Sequence, residues 1–127
     1  VIIPRSGAST PFLKNLLEKI GLEVTEIHLY DVCAFRDTTQ WNEFRELFSQ
    51  SKIDGIVFTS ASSVGAFFEI MSKDYEEKNL LNNLQTIKVV AIGPFTADEL
   101  KKFNIINTIA QVHTVSGAFD SIKNILH

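Results

Sequence analysis

Short apolar runs alternate with longer stretches in which apolar residues recur every three or four positions, and this alternation most constrains the fold. Val1-Ile2-Ile3, Leu22 to Tyr30, Ile53 to Phe58, Lys88 to Ile92 and Ile105 to Val112 read as strands. Between them lie helical faces. Phe12, Leu13, Leu16, Leu17 and Ile20 form one; Trp41, Phe44, Leu47 and Phe48 a second; Val64, Phe67, Phe68 and Met71 a third; Leu100 and Phe103 a fourth; Val115, Phe119, Ile122 and Leu126 a last. Parallel strands need crossover connections, so strand and helix in turn predict an α/β chain whose parallel sheet is covered on both faces.

Local punctuation supports the same elements. Thr10 is expected to cap the first helix, with Pro11 at its first position and Gly21 as its stop. Gly93-Pro94 ends a strand, and Thr96-Ala97-Asp98-Glu99 has the spacing of a capping box. The segment from Lys73 to Asn83 is polar and reads equally as helix or loop. Asp31 to Thr39 is the least regular connection and the expected boundary within the chain. Val1 to Val24 and Val89 to Ile109 share one plan: strand, proline-containing turn, hydroxyl-capped helix, strand.

Composition narrows the function classes. A chain of 127 residues with 45% hydrophobic positions can bury a real core, so neither disulfides nor a structural metal is required. The single cysteine, Cys33, forms no intrachain bridge, and with only His28, His113 and His127 as further soft ligands no metal site is expected. Twelve basic against fifteen acidic residues, with no basic run beyond Lys101-Lys102, leave no footprint for nucleic acid. With a single cysteine a reducing, cytoplasmic compartment is expected; no apolar stretch approaches the length of a bilayer span and the start lacks the plan of a signal peptide, so no membrane partner is expected. Starting at Val1, already inside an apolar run, the sequence is expected to be part of something longer.

In open parallel sheets, ligands bind beyond the carboxyl ends of the strands, where helix N-termini present free amides. The turns in question are Arg5 to Thr10, Thr59 to Ser63, Gly93 to Thr96, and His113 to Ser116. All combine hydroxyls with an incoming helix and carry no carboxylate, a pattern that favours an anion. Read singly, each Ser or Thr is an ordinary helix cap. No nucleophile elbow, phosphate loop, dinucleotide fingerprint or metal-binding histidine pair is present. Tyr30 ends a strand, where a phenol either projects into a cleft and moves a proton or is a half-buried structural group. His113 could donate a hydrogen bond from its turn. Cys33 reads as a small apolar filler, and Met71 with the phenylalanines as core.

At these residues the sequence resembles the uroporphyrinogen-III synthase family of tetrapyrrole (haem) biosynthesis. The resemblance rests on Val1-Ile2-Ile3-Pro4-Arg5, then Gly21-Leu22-Glu23-Val24 and the strand ending in Tyr30. It continues through Asp54 to Val64 (Asp-Gly-Ile-Val-Phe-Thr-Ser-Ala-Ser-Ser-Val), Ala91-Ile92-Gly93-Pro94-Phe95-Thr96-Ala97, and Ala110-Gln111-Val112-His113-Thr114-Val115. Their order and spacing over essentially the whole chain carry it. The implied reaction is a cofactor-free lyase reaction. Hydroxymethylbilane, a linear octacarboxylate, loses its terminal hydroxyl to give an azafulvene and closes through a spiro intermediate with inversion of the fourth ring. The unassisted reaction closes without inversion, so the enzyme's task is proximity and orientation.

Carried over by position, Tyr30 is implied to assist departure of the hydroxyl. Ser60, Ser62 and Thr96 are implied to line the cleft and contact substrate carboxylates, Gly93 to permit close approach, and Arg5 and Thr114 to be further contacts. The net charge of −3 runs against an octa-anionic substrate and leaves the attraction to local amide dipoles. Family members are about twice as long, with two flavodoxin-like three-layer α/β lobes between which the chain crosses twice. Residues 1–127 correspond to the C-terminal half, 1–30 in one lobe and 37–127 in the other, crossing at 31–36. Three arrangements follow: a fragment lacking its N-terminal half, a chain closed on itself, or a homodimer that exchanges its first strand-helix-strand unit. The competing function is a non-catalytic flavodoxin-like module that binds an anionic ligand or a protein partner. A phospho-receiver is disfavoured because the first strand ends in Pro4-Arg5, without an acidic pair; an FMN site at Ser6 to Thr10 lacks a second aromatic-bearing loop.

Overall fold

A computed structural model of the chain describes residues 1–7, 10–31, 33–35 and 38–127. It divides into two compact units, Val1–Cys33 and Ala34–His127. In the first, Ile2–Ser6 forms β1, Phe12–Lys19 α1 and Thr25–Tyr30 β2. The strands are parallel, with Ile2 opposite Thr25 and Arg5 opposite His28, until a register slip between Arg5 and Ser6 sets Ser6 opposite Tyr30. That slip gives β2 an additional residue at its carboxyl end, a bulge of the kind that re-aims side chains.

Gly21 stops α1 as expected. It adopts a φ of 86°, its amide donates to the Glu18 carbonyl at 3.0 Å, and the Leu22 amide donates to the Leu17 carbonyl at 3.2 Å. These paired bonds close a helix through a left-handed residue. The same geometry corrects the second strand, which begins at Thr25 and not at Leu22, because the Leu22 amide is used to finish the helix. The helix start differs as well. Pro11 takes the cap position and no side chain caps the first turn, so Thr10 does not cap α1. Pro11 lacks an amide but its carbonyl accepts from Asn15 at 2.9 Å, which starts the helix without a hydroxyl. No residue of α1 is buried. Phe12, Leu13, Leu16 and Ile20 are exposed, as are Ile27 and Leu29 of β2.

The second unit carries the core. Its elements are α2 (Thr39–Ser49), β3 (Gly55–Phe58), α3 (Ala61–Met71), α4 (Glu77–Leu84), β4 (Lys88–Ala91), α5 (Pro94–Lys102), β5 (Thr108–Ile109) and α6 (Val115–Leu126). The strands form one parallel sheet in the order β3-β4-β5, with Gly55 opposite Lys88 and Val90 opposite Thr108. Side-chain alternation along β4 feeds two cores. Val89 and Ala91 join Phe58, Val64, Met71, Leu100 and Ile105, while Val90 joins Ala110, Ala118 and Ile122. Aromatic rings extend the larger core: Phe67 meets Phe58 and Phe68 edge to face at 5.4 Å, and Phe68 stacks on Phe103 at 4.1 Å. Such offset and edge contacts add to what burial contributes. The polar stretch Lys73 to Asn83 divides between the two readings, a turn followed by α4 from Glu77, in which Leu80 and Leu84 are buried.

Other expectations shift. The alternation predicted one sheet, whereas the described residues form a two-stranded and a three-stranded sheet. A strand-helix-strand pattern orders elements along the chain without saying which strands pair. The last strand, expected over Ile105 to Val112, is only Thr108–Ile109. The capping box at Thr96 is absent: Gly93 caps α5 with Pro94 in its first turn, and Thr96 lies inside the helix and is buried. Pro94 starts the helix earlier because its ring already holds the helical φ and its missing amide needs no partner. The two stretches of similar plan both lie in parallel strand-helix-strand units, although the second strand of the first unit begins at Thr25, just beyond the expected Val1 to Val24. Each opens its helix on proline, not on a hydroxyl.

Candidate functional site

In the second unit the carboxyl ends of all three strands run into helix starts. After β3, the Ser60 hydroxyl accepts from the Ser63 amide at 3.1 Å and lies 3.2 Å from the Ser62 hydroxyl, while the Ser63 hydroxyl donates to the Ser60 carbonyl at 2.6 Å. After β5, the Thr114 hydroxyl accepts from the Gly117 amide at 3.0 Å. Both hydroxyls are therefore true helix caps, as each read singly predicts. Ser62 is different. It is exposed, and its hydroxyl lies against another hydroxyl, that of Ser60. Thr114 is exposed too, and so is His113 before it.

Gly93 and Thr96 occupy the turn after β4, and both are buried. A Cβ on Gly93 would meet the His113 ring at 3.6 Å, an ordinary contact, and its φ of −165° is extended backbone open to any residue. The β4–α5 and β5–α6 turns thus lie near each other. A glycine that does matter sterically is Gly117, which sequence reading passed over. A Cβ there would lie 2.1 Å from the Val112 carbonyl oxygen. The signal was present as an isolated glycine inside a helical pattern, three residues after a threonine cap. Beside β3 lies a groove of about 420 Å³ lined by Trp41, Phe44, Ile56 and Phe67, with Thr59 and Ser63 also in its wall.

In the first unit, the Arg5 guanidinium pairs with Glu26 and its Nε donates to the Ser6 carbonyl at 3.4 Å. Arg5 is thus held by its own strand pair. Tyr30 is 59% exposed at the end of β2, and its carbonyl accepts from the Gly7 amide at 2.9 Å. Exposure settles one alternative: within this chain the phenol is not a half-buried structural group. Ala8 and Ser9 of the first turn lie outside the described residues, as do Val32 and Arg36 of the expected crossing. Also near Tyr30 is a pair that sequence reading missed, His28 and Asp31, whose Nε2 and Oδ1 are 2.9 Å apart.

Chemically, these turns offer hydroxyls and helix-start amides suited to carboxylate ligands. Among the described residues no three His, Cys, Asp or Glu side chains gather to hold a metal ion, and no helix is long and apolar enough to cross a membrane.

Comparison with known proteins identifies the fold. The family model described as uroporphyrinogen-III synthase HemD matches residues 1–120. A Methanothermobacter thermautotrophicus protein assigned as a uroporphyrinogen-III synthase is 30% identical over 115 residues, covering 91% of this chain and 45% of that protein. The porphyrin biosynthesis protein HemD of Ruminiclostridium josui is 25% identical over 98% of this chain, which is 23% of its own length. Among solved structures, the Helicobacter pylori uroporphyrinogen-III synthetase superposes with a TM-score of 0.68 at 17% identity, over 98% of this chain and 53% of that one. The Thermus thermophilus enzyme superposes at 0.64 and 21% identity, over 98% and 49%. The chain thus spans less than half the length of these curated relatives and about half of the solved chains. With nearly all of its residues matched by the family model and the parallel α/β fold shared with these solved structures, the chain belongs to the uroporphyrinogen-III synthase family.

Proposed function

We propose that this chain is the C-terminal half of a cytoplasmic uroporphyrinogen-III synthase, which closes hydroxymethylbilane to uroporphyrinogen III with inversion of the fourth ring. The observation that carries this reading is the family match over residues 1–120. In the finer reading of the fold, each unit contributes to a flavodoxin-like three-layer lobe, with the chain crossing from one lobe to the other near residues 31–36. The division after Cys33 and the two separate sheets support it.

The chemistry asks little of acids and bases. The C–O bond to the terminal hydroxyl breaks as a proton reaches that oxygen, and water leaves; the substituted carbon of the fourth ring attacks the resulting azafulvene to give the spiro intermediate, whose older bond to the bridging methylene breaks and re-forms at the ring's unsubstituted carbon, which gives up its proton. The Tyr30 phenol, exposed at its strand end, is the proton or hydrogen-bond donor to the leaving hydroxyl. Ser60, Ser62 and Thr114, at the starts of α3 and α6, hold substrate carboxylates together with the neighbouring amides, and Arg5 adds a cationic contact. Gly93 and Thr96, both buried, shape the turn between them and carry the role by position alone. Holding the linear chain folded so that the correct carbon attacks accounts for selectivity through orientation.

The test is to supply hydroxymethylbilane, oxidise the products and separate the isomers by chromatography. Type III above the spontaneous type I background is expected of the whole protein; type I alone refutes the activity. Tyr30→Phe is expected to lower kcat more than it weakens product binding, and an unchanged rate removes Tyr30 from the site. The half length favours a second reading, a non-catalytic anion-binding module, which predicts type I alone together with retained binding of the octacarboxylate. Light scattering on the 127-residue chain separates a monomer from an exchanged dimer.

A further inference from the structure

We propose that Phe95, in the first turn of α5, is an apolar platform for a pyrrole ring of the substrate, a proposal that rests on the reading of the chain as a hydroxymethylbilane cyclase. The groups assigned so far in the second unit are hydroxyls and amides. They serve the carboxylates of an octacarboxylate tetrapyrrole but not its aromatic rings, and ligand sites combine a mainly apolar floor with a few placed polar groups. The second unit carries such a floor at the carboxyl ends of its strands. Phe95 is 70% exposed after β4, and Val112 and Val115, 59% and 68% exposed, flank His113 and Thr114 after β5.

Placement distinguishes these residues from scattered surface apolars. β4 is the middle strand of the order β3-β4-β5, so the turn bearing Phe95 stands between the turn with Ser60 and Ser62 and the turn with Thr114. A substrate ring held at the middle turn therefore has hydroxyls to either side for its acidic arms. One helical turn on from Phe95 are Asp98 and Glu99, and both are paired, with Lys101 at 3.8 Å and Lys102 at 2.7 Å. They set no uncompensated negative charge beside an anionic ligand. Thr96 and Ala97 are buried and anchor the start of α5 in the core, which leaves Phe95 on its outer side. Apolar surface bordered by polar groups in this way marks a ligand surface, and contact between aromatic faces adds to what burial contributes.

The experiment compares Phe95→Ala, Phe95→Tyr and Ile106→Ala with the wild type in the whole protein, measuring KM, the ratio of type III to type I isomer and the melting temperature with hydroxymethylbilane as substrate. Tyrosine keeps the ring face. Ile106 is an equally apolar control, 90% exposed before β5 and so at the opposite ends of the strands. Phe95→Ala is expected to raise KM about tenfold, the scale of a lost aromatic contact with its burial. The share of type I should rise as more substrate closes unassisted, and the melting temperature should not change. Phe95→Tyr and Ile106→Ala should keep the wild-type KM and isomer ratio. An unaltered KM in Phe95→Ala, an equal rise in Phe95→Tyr or Ile106→Ala, or a rise that comes with a lowered melting temperature overturns the proposal. Should the wild type make no type III isomer, the cyclase reading fails on its own account. Fluorescence titration with uroporphyrin III then decides Phe95: tighter binding by the wild type and Phe95→Tyr than by Phe95→Ala supports the platform, and equal or absent binding overturns it.

Discussion

Gly117 occupies the first turn of α6 with its amide on the Thr114 hydroxyl and no room for a Cβ against the Val112 carbonyl. The obstacle is backbone, so Gly117→Ala must shift the turn. The expected cost is about 2–3 kcal/mol by chemical denaturation, in the range of overpacking. Gly65, inside α3, has nothing within 4 Å of its Cβ position, and Gly65→Ala is expected to stabilise by about 0.5–1 kcal/mol through backbone entropy. Equal effects of the two substitutions would refute the steric account. The serines of the β3–α3 turn separate in the same way. Ser60→Ala loses a cap and about 1 kcal/mol, whereas Ser62→Ala is expected to leave the melting temperature unchanged and to weaken octacarboxylate binding. At this scale the general reading of turn hydroxyls as helix caps holds at Ser60 and Thr114, where the cap is a local hydrogen bond, whereas the caps expected at Thr10 and Thr96 give way to Pro11 and Gly93. The sequence reading missed Gly117, whose significance depends on a carbonyl brought close by folding.

Elements were legible wherever one apolar face had a partner. Val64, Phe67, Phe68 and Met71 are all buried in α3 as their spacing predicts. Boundaries failed where two local devices competed. At α5, proline at the first turn and a threonine capping box both announced a helix start, and the proline won because it needs no partner. At α1, the glycine stop consumed the Leu22 amide and shortened β2. The energetic weight of helices differs sharply between the units. Leu100 of α5 is fully buried, and Leu100→Ala is expected to cost about 2–5 kcal/mol by transfer and cavity terms. Leu16 of α1 has equally apolar chemistry but is 48% exposed. In the 127-residue chain Leu16→Ala is expected to change stability by less than about 0.5 kcal/mol, as for surface positions generally. Comparable losses in urea denaturation would show that α1 is covered in solution.

For the molecule as a whole, protection should follow burial. A two-stranded sheet with an unburied helix is marginal by itself, while β4 lies between strands with its residues feeding cores on both faces. In hydrogen exchange of the 127-residue chain, amides of Val89 to Ala91 are therefore expected to be slowest, and those of β1, α1 and β2 to exchange faster by at least about 100-fold. Uniform protection across both units would contradict that distribution of stability. What the sequence determined by itself was the α/β class, the order of elements and the family, since each is written in periodicity or motif order. The tertiary structure alone decided that the strands form two sheets, that Thr96 is buried, that Tyr30 is exposed and that Gly7 lies against His28 and Asp31. Those outcomes depend on pairing and close approach between residues distant in the chain, for which no local pattern carries the information.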